Sequence, residues 1–284
     1  MLLFKTISLV TNIAKGYSLA QALRIVSECG FGHVEIASIE GMCEHVAPGD
    51  ITPEFSDTLA DMLMHENLAS YAFAGHLDLT TESGVEAFLA KMDLAAGIGC
   101  KVINTNAGPA GRLAEFRRNL PAVIGRAERL GLTVCLESHG DIVGTAKEAA
   151  RLFREIGHPL IRLNYDTGNT YYYAKGDISI EEDILYGLEY LAYIHIKDVE
   201  IGSCSGSGKV RYVPLGMGGV NFPKVFDSLA QLGRPVDCGL EIPVFVAGTL
   251  DALSPAAAPI SEGEIRAAVG QSMDYLRQLT KRGQ

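Results

Sequence analysis

Short apolar runs alternate with amphipathic stretches along the whole chain, and this alternation constrains the fold more than any other feature of the sequence. Leu3 to Val10 is the first β-rich run. Ser18 then opens a helical pattern through Leu19, Ala22, Leu23, Ile25 and Val26 that stops at Gly30, and His33 to Ala37 reads as the second strand. Thr52-Pro53-Glu54 supplies a cap, a proline at the first position and an acid in the first turn of a helix reaching Glu66. Further strands are expected at Leu68 to Leu77, Lys101 to Asn106, Leu132 to Glu137, Leu160 to Asp166, Leu191 to Ile196 and Val236 to Ile242. Helices are expected at Ser83 to Gly97, Arg112 to Leu130, Thr145 to Ile156, Ser179 to Leu188, Phe222 to Leu232 and Glu262 to Thr280. Gly131 and Gly157 stand where two of them should end.

Eight strand-helix units at a pitch of about 25 to 35 residues match a (β/α)8 barrel, an α/β fold of TIM type, as a single domain over residues 1–284. A doubly wound sheet is the competing architecture, but the chain shows no natural break into two halves. Ser254 to Pro259, rich in Pro and Ala, reads as a surface loop before the last helix.

Four of the apolar runs end in groups that hard or borderline metals favour: Glu137, Asp166, His195 and Glu241. Strands of a parallel barrel are buried, so a strand-end carboxylate without a partner would cost several kcal/mol unless it faces the open mouth. One strand-end acid alone is an ordinary helix cap or ion pair. Four from consecutive strands make an arc on one side of the mouth, where barrel enzymes place their chemistry. Three carboxylates and one imidazole suit Mn²⁺, Mg²⁺, Co²⁺ or Zn²⁺, whereas copper or iron-sulfur chemistry would call for thiolates.

Composition narrows the partners. The formal charge of -10 repels a phosphate backbone, so nucleic-acid binding would need a local basic patch that the sequence lacks, and a small polar substrate is the better match. The six cysteines form no CxxC pair and sit mostly in apolar runs, as small buried hydrophobes in a cytoplasmic, reducing setting. Thr6, Ser8, Thr11, Asn12 and Lys15 interrupt the apolar start, so a signal-type h-region is not expected there, and no run reaches the roughly 18 apolar residues of a membrane span.

The segments Glu137-Ser138-His139-Gly140, Asn164 to Asn169, Ile194 to Asp198, Pro214 to Gly218 and Gly239 to Ile242 resemble the xylose-isomerase-like sugar (phosphate) isomerase/epimerase superfamily of metal-dependent barrels, and the likeness runs from about Phe4 to Leu276. The resemblance implies a metal-dependent isomerase or epimerase of a ketose or keto-sugar, phosphorylated or free, that works through an enediolate. It implies Mn²⁺ bound by Glu137, Asp166, His195 and Glu241, with Glu137 and Glu241 also moving protons, and a dimer or tetramer. An enediolate is stabilised when a metal chelates a carbonyl and an adjacent hydroxyl oxygen, and two carboxylates on opposite faces can remove and return a proton. A lyase or dehydratase acting on a 3-keto sugar or glycoside at the same metal site is the alternative, since it too begins by abstracting a proton beside a carbonyl. A phosphodiesterase like the abasic-site endonucleases of this fold would need more histidines than seven and a basic face. A non-catalytic sugar sensor would be expected to lack one of the two glutamates.

Some epimerases of the superfamily carry a histidine three residues after the ligand Asp; here Asn169 stands there, able to hydrogen-bond but not to carry a proton. His139, two residues after Glu137, is expected to reach the substrate instead. Glu35, His76 and Asn106 end the second, third and fourth strands and are candidates for binding sugar hydroxyls. Lys197 faces the same way as His195, for substrate or for a salt bridge to Asp166 or Asp198. Tyr171 to Tyr173 would wall the pocket or an interface. Gly202 to Arg211 reads either as a phosphate clamp using Lys209 and Arg211 or, preferably, as a lid that carries Arg211 onto the substrate; it lacks the spacing of a P-loop, and Gly216 to Asn221 lacks that of a dinucleotide fingerprint.

Overall fold

A computed structural model describes residues 3–202 and 208–282. In chain order its elements are β1 (Phe4–Val10), α1 (Leu19–Glu28), β2 (His33–Ile39), β3 (Cys43–Glu44), α2 (Pro53–His65), β4 (Ala69–Ala74), α3 (Glu82–Gly97), β5 (Val102–Thr105), α4 (Leu113–Leu130), β6 (Thr133–Glu137), α5 (Ala146–Ile156), β7 (Ile161–Asp166), α6 (Thr167–Tyr173), α7 (Ile180–Gly187), β8 (Leu191–Ile196), β9 (Asp198–Ile201), β10 (Lys209–Val213), α8 (Phe222–Ala230), β11 (Val236–Leu240), β12 (Val246–Thr249), β13 (Leu253–Pro255) and α9 (Glu262–Arg282). Eight of the strands, β1, β2, β4, β5, β6, β7, β8 and β11, pair in parallel in that order. The ring closes where Val10 of β1 lies opposite Glu35 of β2 while Ser8 lies opposite Gly239 of β11. This is a single-domain (β/α)8 barrel.

The helix ends follow from local chemistry. Ser18 and Gln21 form a reciprocal capping box on α1, Thr145 and Glu148 do the same on α5, and Thr52 and Thr81 cap α2 and α3. Each such cap is worth about 1 kcal/mol. Gly131 and Gly157 end α4 and α5 with φ of 62° and 61°, a left-handed conformation that glycine adopts without the usual Cβ penalty. The apolar faces of the helices pack on the outside of the barrel in one continuous core, where Leu152 and Phe153 of α5 and Val225 and Leu229 of α8 are buried. Inside the barrel the lower layer is filled by Ala72, Val102, Cys135 and Tyr193.

Two local expectations are corrected, and one helix appears that the sequence reading did not include. The third strand ends at Ala74 rather than Leu77: the Gly75 N–H still reaches the Asn104 carbonyl, but the Leu77 N–H is taken by the Thr105 hydroxyl instead of a backbone carbonyl. Thr167 to Tyr173 is a short helix, α6, seated on the Asp166 carboxylate, which accepts the Asn169 N–H at 2.7 Å. Beyond β8 the chain leaves the barrel to build an antiparallel sheet in the order β13-β12-β10-β9, so Leu253–Pro255 is strand rather than loop. Residues 203–207 of the expected Gly/Ser-rich loop, Cys204 among them, lie outside the described residues. The other cysteines are all free, and Cys43, Cys100, Cys135 and Cys238 are buried. No helix among the described residues is long and apolar enough to cross a membrane.

Candidate metal centre and sugar site

Alternation along the barrel strands decides which side chains enter the mouth. On β6, Cys135 and Glu137 point inward; on β7, Asn164 and Asp166 do; His195 of β8 lies level with Asp166 on one side and Gly239 on the other. Glu241 follows one residue beyond β11 and its backbone N–H is tied to the Ile196 carbonyl. Glu137, Asp166, His195 and Glu241 are all buried, and one donor atom from each lies within 4.8 Å of the others. His195 Nδ1 is 3.0 Å from Glu137 Oε2, 3.1 Å from Glu241 Oε2 and 3.6 Å from Asp166 Oδ2. A single N–H cannot satisfy three carboxylate oxygens at once, so this convergence fits a divalent cation held by an O/O/O/N donor set. The structure contains no ion.

The remaining oxygens are held from outside the cluster. Glu137 Oε1 accepts Asn169 Nδ2 at 2.9 Å, and its Oε2 also meets Asn164 Nδ2 and His76 Nε2 at 3.0 Å. Glu241 Oε1 accepts Asn12 Nδ2 at 2.7 Å and Lys197 Nζ at 3.0 Å. Tyr212 of β10 fixes Asn169 by donating its hydroxyl to Oδ1 at 2.9 Å, and the Lys197 ammonium lies over the Tyr212 ring, 4.6 Å from its centroid.

These contacts set the charge states. Burial works to raise the Glu137 carboxyl pKa, but His76 and His195 beside it hold it well below the usual carboxylate range. Burial is likewise overcome at Glu241, chiefly by Lys197, which keeps that carboxylate ionised. Asp166 goes the other way: burial, opposed by Lys197 and His195, pushes it up to about 6. Burial would make His195 lose its proton, yet Glu35 and Glu137 raise it well above its ordinary value. Burial pushes the His139 imidazole down to about 4, which leaves it neutral at neutral pH.

The structure brings most of the sequence candidates together. His76, Asn106, His139, Asn169 and Lys197 line one cavity of about 360 Å³ with Glu137 and Glu241. His76 Nδ1 and Asn106 Oδ1 are buried and have no protein hydrogen-bond partner. His139 packs against the Tyr173 ring at 5.2 Å. Lys197 pairs with Asp166 and Glu241; Asp198 instead accepts backbone N–H groups of Gly216, Gly218 and Val220 and shapes the turn behind the site. A Cβ on Gly218 would come within 2.2 Å of the Asp198 carboxylate.

Two candidates are placed elsewhere. Glu35 is fully buried beneath His195, both of its oxygens 3.1 Å from Nε2, and Asn104 donates to it at 2.7 Å. It does not line the cavity, because its carboxylate is enclosed and taken up by His195 and Asn104. Arg211 sits on β10 with 62% of its side chain exposed and pairs with Glu200 on the facing strand β9, away from the cavity. Sequence reading missed Asn12, Asn164 and Tyr212. Asn164 could have been found, since it lies two residues before Asp166 on the same strand face; Asn12 and Tyr212 carry no local signal.

Known proteins place this architecture. A match of 25% identity over 120 residues links the chain to L-ribulose-5-phosphate 3-epimerase UlaE of Escherichia coli, covering 42% of this chain but only 39% of that relative's length. Among solved structures, a D-allulose 3-epimerase from Methylomonas sp. superposes with a TM-score of 0.70 at 18% identity, over 98% of this chain and 100% of the other. A xylose isomerase-like barrel from Mycobacterium smegmatis in complex with magnesium gives 0.70 at 17%, over 96% and 97%. The probable 3-DHS dehydratase AsbF of Bacillus anthracis gives 0.66 at 15%, over 93% and 97%. At such identities these structures establish the fold alone. The sequence model of the xylose isomerase-like TIM barrel matches residues 17–279, nearly the whole barrel described above, and the chain therefore belongs to that family.

Proposed function

We propose that this protein is a divalent-metal-dependent epimerase or isomerase of a ketose, with Glu137 and Glu241 as its acid/base pair and Mn²⁺ as the first ion to test. The observation that carries the reading is the matched setting of the two glutamates. Each turns Oε2 into the cluster and has Oε1 held by neutral or cationic donors, so both stay ionised while lining the same cavity.

A cation bound by Glu137, Asp166, His195 and Glu241 would supply the Lewis acidity that stabilises negative charge developing on adjacent substrate oxygens. The chain's own groups do the rest. One carboxylate would take the proton from the carbon beside the carbonyl; its counterpart, having accepted the proton of the adjacent substrate hydroxyl, would deliver that proton to the opposite face of the carbon, and the first would then return its own to the hydroxyl oxygen, giving an epimer and restoring both carboxylates. Asn169, fixed by Tyr212, orients Glu137; Asn12 and Lys197 orient Glu241. His76, Asn106 and neutral His139, which line the same cavity, would bind hydroxyls and position that carbon.

The test is deuterium uptake from D2O into free and phosphorylated ketoses with Mn²⁺, read by NMR, for the wild type and Glu241→Gln. Metal-dependent exchange beside the carbonyl should fall at least about 100-fold in the variant. Loss of water rather than inversion in the product would move the assignment to a dehydratase, and exchange that survives the substitution would remove Glu241 from proton transfer.

A further inference from the structure

The walls of the cavity away from the metal cluster carry information the reaction does not use. Glu40 and Asp78 line it, and Lys197 is the only lysine or arginine among the described residues that does. That ammonium is already committed, at 3.0 Å from Glu241 and 3.4 Å from Asp166. Three cluster carboxylates set against a divalent ion and one ammonium bring the inner site near neutrality, so Glu40 and Asp78 leave the approach to it negative.

The nearby cations do not reverse this: Lys91, the cation that Glu40 acts on, is buried, donates to the Ser38 carbonyl and does not line the cavity. Arg112 lies 3.7 Å from Asp78 but also donates to the Thr80 carbonyl and pairs with Glu115, and it does not line the cavity. Asp78 is itself fixed, its Oδ1 accepting both the Thr80 N–H and the Thr80 hydroxyl. Lys209 and Arg211 belong to a separate surface depression with Glu200. Ile39, Met42 and Leu77 add an apolar wall. At about 360 Å³ the cavity is near the lower end of the roughly 300–1,000 Å³ usual for small-molecule sites, the size for one sugar unit.

We infer that the substrate is an uncharged, unphosphorylated monosaccharide, and that Glu40 and Asp78 are specificity-determining residues that reject a terminal phosphate. Like charge brought against an incoming anion discriminates through repulsion rather than through added contacts with the preferred ligand. The inference rests on the ketose reading above and sets this chain apart from the relative it partly matches, which is an L-ribulose-5-phosphate 3-epimerase.

The experiment compares kcat/KM of the Mn²⁺-loaded full chain for L-ribulose and L-ribulose 5-phosphate, and for D-allulose and its 6-phosphate. The free sugar is expected to lead by about tenfold or more. In Glu40→Gln/Asp78→Asn the ratio should move toward the phosphate by about threefold or more. A phosphate ester preferred by the wild type, or a ratio unmoved in the double variant, would overturn the inference while leaving the epimerase reading intact. Should no ketose react, that reading fails and calorimetric binding of ribitol against ribitol 5-phosphate decides the inference: tighter ribitol binding supports it, and tighter phosphate binding, or no binding of either, overturns it.

Discussion

At the scale of single residues, the most consequential contact is the one under the candidate metal centre. Glu35 grips His195 Nε2 with both oxygens at 3.1 Å, which leaves Nδ1 to face Glu137, Asp166 and Glu241. A carboxylate behind a metal-ligating histidine fixes its ring and tautomer and raises its basicity, and losing such a partner typically weakens metal binding 10–100-fold. Glu35→Gln should therefore lower Mn²⁺ affinity by about that factor when titrated calorimetrically, while Glu40→Gln should not. Equal affinities in Glu35→Gln and wild type would show that His195 is positioned by packing alone. Gly239 belongs to the same unit, because a Cβ there would meet Glu35 Oε2 at 2.5 Å and His195 Cδ2 at 2.8 Å. From the sequence, Glu35 was legible as a polar strand residue of functional interest, but its partner lies 160 positions away and its depth depends on barrel closure.

At the scale of elements, the helices announced themselves because caps and stops are local. The Ser18, Thr52 and Thr145 caps and the Gly131 and Gly157 stops lie within a few residues of what they control. The small sheet did not, since β9 and β10 pair with each other and then with β12 across more than thirty residues of intervening barrel, roughly Val213 to Val246. Its strands are too short for alternation to show. One buried charge joins two barrel elements: Lys91 of α3 is 2% exposed and donates to the Ser38 carbonyl of β2 at 2.6 Å. Burial, only partly offset by Glu44 and Glu40, lowers its pKa from 10.5 to about 8. The unfolded chain thus keeps this proton up to pH about 10.5 while the folded chain releases it near 8, so unfolding free energy gains from this group as pH rises between those values. The full deficit is present below pH 8. Urea titrations at pH 8 and pH 10 should show a rise of about 2 to 3 kcal/mol in wild type relative to Lys91→Met, with the difference between the two proteins closing at the higher pH. Parallel pH profiles would place the lysine's charge in water after all.

At the scale of the whole molecule, the cluster draws side chains from four strands of the barrel to one point, where carboxylates outnumber the cationic groups paired with them. Three buried carboxylates converge there, and His195 and Lys197 are the cationic side chains among them. A ligand that binds only the folded state stabilises it by about 2.7 kcal/mol at a hundred times its dissociation constant. For a chain of this size that corresponds to a rise in Tm of about 5 to 10 °C. Differential scanning calorimetry with EDTA and then with Mn²⁺ or Mg²⁺ should show it, and Asp166→Asn should abolish most of it. A Tm indifferent to every divalent ion would leave the cluster as a structural network.

The sequence by itself determined the number and order of the strand-helix units and the chemistry at the strand ends, because alternation, caps and the identity of Glu137, Asp166, His195 and Glu241 are all written within windows of a few residues. Only the tertiary structure decided what those ends meet. Closing the ring sets β1 beside β2 and β11, and that single event brings Asn12 to Glu241 and Glu35 beneath His195. The antiparallel excursion turns Arg211 toward Glu200 and delivers Tyr212 to Asn169. The contacts of Asn12 and Glu35 depend on chain closure over more than a hundred residues and those of Arg211 and Tyr212 on strand register, quantities that no local pattern of residue types encodes.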